Sequence, residues 1–272
     1  MPHEDLYERC RVVPGSRVQL ARHDPNDSGP YARRRDAASD FKAARARIDE
    51  LQERLWAEHR RSLLVVFQAM DTGGKDGVIR GVFSGVNPQG CRVSDFKQPS
   101  AEELDRDFLW RIHERVPGRG LIGIFNRSHY EDVLVVRVHE LAPPSVWRQR
   151  YGLINDFERL LSLNGTTILK FFLHISKQEQ EERLQKRLDD PSKTWKFSAN
   201  DAQERRFWDD YMAAYEEALS RCSTDEAPWF IVPANRKWYR DVVVARIVAD
   251  TLSRLDPRPP KPDPALEKLK IS

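Results

Sequence analysis

The sequence predicts an α/β fold in which a parallel sheet of about five strands lies between two layers of helices. Short apolar runs alternate along the chain with segments of helical periodicity, and a glycine-rich loop directly follows the first run. Continuous apolar runs are typical of strands buried on both faces of a parallel sheet, and their alternation with helices implies right-handed crossovers. The chain has 272 residues, 40% of them hydrophobic, so it is long enough to bury the core of one main domain.

The N-terminal residues 1–35 mix proline, glycine and charged residues without periodicity, which predicts an extended arm. One domain is expected over residues 36–256, and the Pro-rich residues 257–272 are expected to form a tail. Within the domain, the predicted strands are residues 63–68, 92–96, 120–125, 168–175 and 229–233. The predicted helices are residues 37–59 and, with approximate bounds, 75–86, 101–115, 144–162, 177–189, 201–220 and 238–255.

The composition argues against several classes of protein. A net charge of +3, from 45 basic and 42 acidic residues, gives no overall reason to expect a nucleic-acid partner. The chain has neither an apolar window of about 18 residues nor a signal-like start, so we expect a cytoplasmic protein without a membrane partner. The cysteines and histidines lack zinc-site spacing, and therefore any metal is expected to be a hard cation such as magnesium, with manganese as the alternative.

A loop suited to phosphate binding follows the first strand. Residues 69–77 read AMDTGGKDG and open a helix. Glycines let backbone N–H groups turn toward phosphate oxygens, the helix N-terminus adds positive charge, and a lysine contacts the terminal phosphates. Phosphate or nucleotide contacts are therefore expected from Thr72, Gly73, Gly74, Lys75, Asp76 and Gly77. The alternative is an ordinary glycine turn between a strand and a helix.

Asp71 is the most informative residue of this loop. A carboxylate inside a loop built for anions is unfavourable unless it binds a metal ion or takes a proton from an acceptor. The loop also departs from the common pattern G-x-x-x-x-G-K-[ST], because Ala69 replaces the first glycine and Asp76 replaces the hydroxyl residue. These departures leave the reason for a phosphate site intact.

A second polar cluster, NRSHYED at residues 126–132, follows the third predicted strand. Ligands of open parallel sheets bind beyond the carboxyl ends of the strands, so this cluster should face the phosphate loop. Asn126 and Tyr130 are expected to contact phosphate or nucleotide, and Glu131 and Asp132 are candidate functional acids. For the two acids, the alternative is a solvated first helical turn, where acidic residues favour the helix dipole.

Three motifs together resemble the polyphosphate kinase 2 family, over about residues 35–255. They are AMDTGGKDG, FNRSHYEDV and DDPSKTWKFSANDAQERRFWDDYMAAYEEAL. The resemblance implies a three-layer α/β/α P-loop kinase fold and transfer of phosphoryl groups between inorganic polyphosphate and nucleotides, with magnesium. It places Asp71 and Lys75 on the acid and lysine of the family's phosphate loop, and Arg127 on the arginine of its second motif.

Asn126 stands where many members of that family have aspartate, which moves the expected metal binding to Asp71, Glu131 and Asp132. The second motif is similar to that of the subgroup accepting both AMP and ADP. Adenine nucleotides are thus the expected acceptors, with guanine nucleotides as an alternative. The residues expected to act in catalysis are Asp71, Lys75, Arg127 and Glu131.

The resemblance also implies a helical lid at about residues 183–210. A chain of phosphates needs cations at intervals, and a lid excludes water so that transfer is favoured over hydrolysis. The expected phosphate contacts of the lid are Arg183, Arg187, Lys193 and Lys196. Solvated helix faces with salt-bridge partners are the alternative.

The sequence thus predicts a polyphosphate-dependent kinase that converts AMP and ADP to ADP and ATP, a reaction suited to ATP regeneration. An ATP-dependent nucleoside monophosphate kinase and a nucleotide-binding module without turnover are the alternatives. Asp71 argues against the binding module, because a carboxylate facing phosphates brings no advantage to binding alone. The resemblance implies a homo-oligomer, either a dimer or a tetramer.

Overall fold

A computed structural model describes residues 5–192 and 203–261. Within them, a five-stranded parallel sheet has the order β2-β3-β1-β4-β5. All five strands predicted from the sequence are confirmed, with shifts of at most a few residues. Their bounds are β1 Ser62–Gln68, β2 Cys91–Asp95, β3 Ile122–Asn126, β4 Thr166–His174 and β5 Trp229–Pro233.

Helices cover both faces of this sheet, as the alternation of strands and helices predicts. The α-helices named here are α1 Leu6–Cys10, α2 Ala38–Glu58, α3 Lys75–Phe83, α4 Ala101–Leu104, α5 Trp110–His113, α6 Val135–Val138, α7 Pro144–Leu163, α8 Lys177–Leu188, α9 Trp208–Cys222 and α10 Lys237–Leu255. None of the helices in the described parts of the chain is long and apolar enough to cross a membrane.

Strand β1 shows why the sheet is buried on both faces. All seven of its residues are buried, and successive side chains point to opposite faces. Leu63 and Val65 join the core that α2, α3 and α10 cover, whereas Leu64 and Val66 join the core beneath α5 and α7. A run without polar alternation is therefore the expected sequence of such a central strand.

The predicted helix at residues 101–115 is wrong as one element, because the structure divides it into α4 and α5. The Asp107 side chain accepts a hydrogen bond from the backbone N–H of Leu109 at 3.0 Å, between the two helices. Such a local side-chain bond offers the backbone an alternative to the helical ladder. Helical periodicity alone did not reveal this break.

The N-terminal segment, predicted to be an extended arm, packs against the domain and contains the short helix α1. The backbone N–H of Val12 donates to the carbonyl of Trp229, next to an antiparallel bridge between Arg11 and Phe230. Leu6 and Val12 are buried in the main core. The segment thus covers the β5 edge of the sheet, which would otherwise expose unpaired backbone groups.

The topology places two loops opposite each other at the carboxyl edge of the sheet. After β1 the chain continues through β2 and β3 on one side, and then through β4 and β5 on the other. In such sheets, ligands bind at the point where the strand order reverses. The loop after β1 and the loop after β3 flank this point.

Candidate active site

The loop between β1 and α3 has a backbone that demands glycine at two positions. A Cβ on Gly73 would lie 2.5 Å from the Cβ of Ala69 and 2.8 Å from the carbonyl oxygen of Met70. Gly74 has a φ of +100° and caps α3, and a Cβ there would collide with the guanidinium of Arg240. The first N–H groups of α3 have no intrahelical acceptor, so they are available to an anion at this helix end.

Arg183 braces this loop from α8. One guanidinium nitrogen lies 2.9 Å from the carbonyl oxygen of Thr72 and 3.2 Å from that of Gly73, and the other lies 2.6 Å from that of Ala234. These bonds turn the loop carbonyls toward α8, and Arg183 itself is buried. The structure therefore corrects the expectation that Arg183 contacts polyphosphate. Arg187, one turn later, is half-buried.

Lys75, the first residue of α3, lies at the centre of the charged groups. Its Nζ is 3.2 Å from the carbonyl oxygen of Ala69, and its side chain is buried. Burial lowers the pKa of this ammonium group, as does the nearby Arg127, against the opposing effect of Asp71 and Glu131. A buried ammonium with a lowered pKa is poorly compensated in the free protein, and a phosphate bound beside it would supply the missing negative charge.

Arg127 joins the second loop to the first. Its guanidinium lies 3.3 Å from a carboxylate oxygen of Asp71, and its backbone N–H donates to the carbonyl of Phe67 at 3.0 Å. The φ of Arg127 is +62°, a left-handed conformation that costs on the order of 1–3 kcal/mol for a residue other than glycine. Strain of this size persists only where the surrounding contacts hold the residue in place.

Glu131 and Asp132 both line the cavity next to these charges. Burial raises the pKa of the Glu131 carboxyl, with Arg127 opposing the shift, and Gln68 donates to one of its oxygens at 3.0 Å. Burial also raises the pKa of Asp132 to about 6, although Arg150 lies 2.8 Å from its carboxylate. Asp132 therefore already has a cationic partner, whereas Glu131 is held by an amide.

Tyr130, expected to contact phosphate or nucleotide, instead points away from the cavity. It is fully buried, and its hydroxyl lies 2.9 Å from Glu158 and 2.8 Å from Lys170. The prediction was wrong because the short 3-10 helix His129–Asp132 turns neighbouring residues to opposite sides. Tyr130 faces the interior, and Glu131 faces the cavity.

Asn126 and Asp76 meet where β3 ends, since the amide nitrogen of Asn126 lies 2.9 Å from a carboxylate oxygen of Asp76. The side-chain oxygens of Asn126 and Thr72 are buried without a hydrogen-bond partner. Oxygen atoms of this kind fit a hard divalent cation. No cluster of three or more histidine, cysteine and acidic side chains suited to a metal ion occurs in residues 5–192 and 203–261. The residues present fit an ion that takes one or two carboxylates and completes its shell with phosphate and water.

A cavity of about 590 Å³ opens beyond the carboxyl ends of β1 and β3. One end carries the charged groups Asp71, Arg127 and Glu131. The rest of the lining combines apolar and polar residues. The apolar ones include Phe96, Leu104, Val135, Val136, Leu141 and Ala142, and the polar ones include Lys97, Gln98, Arg111, Asp132, His139, Arg150, Gln180 and Glu204. A cavity that offers charged groups beside apolar side chains suits a ligand that joins an anionic group to a flat, apolar one.

Sequence analysis did not identify several residues that shape the site. Gln68 holds Glu131, Gln180 donates to the carbonyl of Asp71 at 3.2 Å, and Arg150 pairs with Asp132. Gln68 gave a signal, because a polar residue at the carboxyl end of a buried strand faces the ligand edge. Gln180 and Arg150 lie within helices rich in polar residues, so no sequence feature distinguished them as site residues. Lys193 and Lys196 lie outside the described residues.

Comparison with known proteins identifies relatives along nearly the whole chain. Residues 31–260 match the family model described as polyphosphate kinase 2. The chain is 52% identical to an AMP/ADP-polyphosphate phosphotransferase of Meiothermus ruber, covering 97% of this chain and 99% of that one. It is 46% identical to an ADP-polyphosphate phosphotransferase of Rhodopseudomonas palustris, covering 96% and 94%. Its fold is similar to the crystal structure of polyphosphate kinase 2 from Arthrobacter aurescens TC1, with a TM-score of 0.92, 46% identity and coverage of 97% and 95%.

Proposed function

Since this chain belongs to the polyphosphate kinase 2 family, we propose that it transfers phosphoryl groups from inorganic polyphosphate to AMP and ADP, with magnesium. It is a phosphotransferase of the kinase type. One observation carries the assignment: Asp71, Arg127 and Glu131, from two loops that are far apart in sequence, line a cavity large enough for a nucleotide, and the buried Lys75 lies within electrostatic range of all three. The products are ADP and ATP.

The chain's own groups supply positioning and charge. Phosphoryl transfer asks little covalent chemistry of a protein, and rate is gained by stabilising charge on the transferred group. Lys75 and the N-terminus of α3 bind the terminal phosphates of the donor, and Arg127 reaches the transferred group from the opposite loop. Asp71 orients the acceptor oxygen and is placed to receive its proton.

Magnesium fits the oxygen donors at this edge, and Asp71 and Glu131 would hold it together with the side-chain oxygen of Asn126. When bound, the ion would neutralise negative charge on phosphate oxygens. Burial raises the pKa of Glu131 although Arg127 and Lys75 oppose the shift, and a bound cation would favour the charged carboxylate in the same sense as these two side chains. The apolar side chains of the cavity, among them Phe96, Leu104 and Val135, accommodate the nucleoside.

The assay that tests this function uses the pure protein with magnesium, polyphosphate and AMP, followed by separation of the nucleotides. We expect ADP first and ATP later. Parallel reactions replace polyphosphate by ATP, which distinguishes an ordinary nucleoside monophosphate kinase. Folded protein that makes neither product from polyphosphate, but makes ADP from ATP and AMP, would contradict the proposed donor.

Glu131→Gln should depress phosphorylation of AMP much more than phosphorylation of ADP. The terminal phosphate of AMP lies about one phosphate unit farther from the transferred group, so oxygen ligands must span a longer gap. A carboxylate holds a metal ion and its waters better than an amide does. Initial rates with each acceptor, at saturating polyphosphate, measure the ratio. Equal losses of the AMP and ADP rates would mean that Glu131 binds the metal ion for both acceptors. Unchanged rates would mean that Glu131 is only a solvated residue of the first helical turn.

Neutralising Arg187 and Lys237 together should raise KM for polyphosphate more than KM for nucleotide. Burial lowers the pKa of Lys237, and the nearby Arg183 and Arg240 lower it further. Arg183 is in turn within electrostatic range of Arg187, so Lys237 and Arg187 belong to one group of neighbouring cations. A phosphate chain relieves their repulsion, and we expect an effect on the order of tenfold that weakens at high salt. The control variant replaces Arg159 and Arg221, two exposed cations near the opposite edge of the sheet, with glutamine. Equal changes in both KM values would argue against a donor track here.

The lid at about residues 183–210 and the homo-oligomer remain proposals. Apolar side chains along α7 support self-association, because Leu153, Leu160 and Leu163 are 50%, 49% and 77% exposed. Exposed apolar residues in a row on one helix are more typical of an interface than of a solvated surface. Light scattering of the purified protein measures the mass and distinguishes a monomer from a dimer or a tetramer.

A further inference from the structure

The loop after β3 has one side that faces the cavity and another that faces the interior. Arg127 and Glu131 line the cavity, whereas Ser128, His129 and Tyr130 are fully buried. The proposed function uses only the cavity side. The interior side must therefore determine where Arg127 and Glu131 are held.

A buried network of charged and polar groups contacts this interior side. One carboxylate oxygen of Glu158, on α7, lies 3.1 Å from the imidazole of His129 and 2.9 Å from the hydroxyl of Tyr130. Its other oxygen lies 2.5 Å from Nζ of Lys170, on β4. Lys170 also donates to the Tyr130 hydroxyl at 2.8 Å and to the carbonyl of Cys222 at 2.6 Å.

Glu158 and Lys170 are both almost inaccessible to water, and each makes hydrogen bonds within the network. Nδ1 of His129, by contrast, is buried without a hydrogen-bond partner. The three N–H groups of Lys170 have three acceptors: Glu158, Tyr130 and the carbonyl of Cys222. Burial opposes ionisation of Glu158, but Lys170 and His129 together lower the pKa of its carboxyl. The ion pair is therefore maintained inside the core, where it connects α7, β4 and the end of α9 to the loop.

Stability alone does not explain a buried ion pair. Well-packed apolar residues of similar size often give equal or greater stability than such a pair, whereas buried ionic groups can impose one specific arrangement on their neighbours. Here the neighbours are His129 and Tyr130, two residues after Arg127 and one residue before Glu131. The left-handed backbone of Arg127 needs such support, because strain persists only where surrounding contacts hold it.

We propose that Glu158 and Lys170 are positioning residues, which hold His129 and Tyr130 so that Arg127 and Glu131 stay aimed at the reacting phosphates. Neither residue of the pair touches the substrate. The effect of the Glu158–Lys170 pair on the reaction rate rests on the proposed function, whereas its effect on the position of the loop does not. A displacement of the loop by about 1 Å is enough to lower kcat by up to about a hundredfold.

The test replaces both charges at once, by Glu158→Gln with Lys170→Met, so that no unpaired charge remains in the core. We expect kcat to fall on the order of ten- to a hundredfold, with KM for nucleotide and polyphosphate little changed. The melting temperature should change little. Amide hydrogen exchange of residues 127–132 should accelerate, because the loop is no longer held from behind.

Leu161→Ala is the matched control. Leu161 is buried on α7, one turn after Glu158, and packs in the core beneath that helix. Removing its side chain should lower the melting temperature by creating a cavity, but should leave kcat and the exchange of residues 127–132 unchanged below that temperature. A purely structural role of the pair predicts that the double variant behaves in the same way as this control.

Tyr130→Phe keeps the proposal testable if the double variant does not fold. It removes one hydroxyl from the network and leaves the ion pair, so kcat should fall and loop exchange should accelerate, both to a smaller extent. Unchanged kcat together with unchanged exchange, in either folded variant, would overturn the proposal. A wild-type protein that does not use polyphosphate would contradict the proposed function, and the exchange experiment would then decide the positioning role.

Discussion

Lys75→Ala is expected to reduce the rate of phosphoryl transfer from polyphosphate by about a hundred- to a thousandfold. A loss of this order follows the removal of one preorganised hydrogen-bond donor from an active site. Lys75 is the only residue of the phosphate loop, residues 69–77, whose side chain can place an ammonium among the terminal phosphates. Burial and Arg127 lower the pKa of Lys75 although Asp71, Glu131 and Asp76 oppose the shift, so a bound phosphate would further stabilise its charge. Steady-state kinetics with AMP and with ADP measure the loss.

Lys75→Met provides the control for packing, because methionine fills much of the same space without a charge. It should be as inactive as the alanine variant. It should also melt at an equal or higher temperature than the wild type, since a poorly compensated buried charge has been removed. A methionine variant that is folded and nearly fully active would refute the assignment of Lys75 to the phosphates.

Asp71→Asn is expected to lower kcat by about a hundredfold or more, because the amide keeps the shape of the side chain but cannot hold a metal ion or accept a proton. Asp71 is accessible from the cavity and lies 3.3 Å from Arg127. KM for polyphosphate should change less than kcat. A normal kcat would reassign Asp71 to the structure of the loop.

A double-mutant cycle with Arg127→Gln separates the two contributions of Asp71. If Asp71 acts only by orienting Arg127, the double variant should be no slower than Arg127→Gln alone. If Asp71 also acts on the metal ion or the acceptor, the double variant should be distinctly slower than either single variant. We expect the second result, because Asp71 and Glu131 approach the same end of the cavity from different loops.

The elements that sequence analysis predicted well are those determined by local patterns. β1 has a continuous apolar run and β4 has apolar residues on either side of Lys170, and the burial of both strands on both faces follows from that pattern. The phosphate loop could also be recognised from the sequence, because a strand, two glycines, a lysine and a helix follow one another within residues 62–83. The family predicted from three motifs is confirmed by the match over residues 31–260.

Tyr130 and Arg183 show where local patterns stop being informative. Each lies beside residues of the site in sequence, and each was expected to contact phosphate. Tyr130 is instead drawn inward by Glu158 and Lys170, and Arg183 is bound by loop carbonyls. The partners that decide their orientation lie between 28 and 111 residues away in the chain.

The sequence by itself therefore determined the order of strands and helices, the phosphate loop and the types of charged residue available to the site. Periodicity and glycine chemistry act over a few residues, so they can be recognised in one dimension. Only the tertiary structure decided which side chains face the cavity, because the 3-10 helix after β3 turns Glu131 toward the cavity and Tyr130 into the core. That choice depends on the hydrogen bonds that Tyr130 makes with Glu158 of α7 and Lys170 of β4, which are brought together only when the sheet has formed.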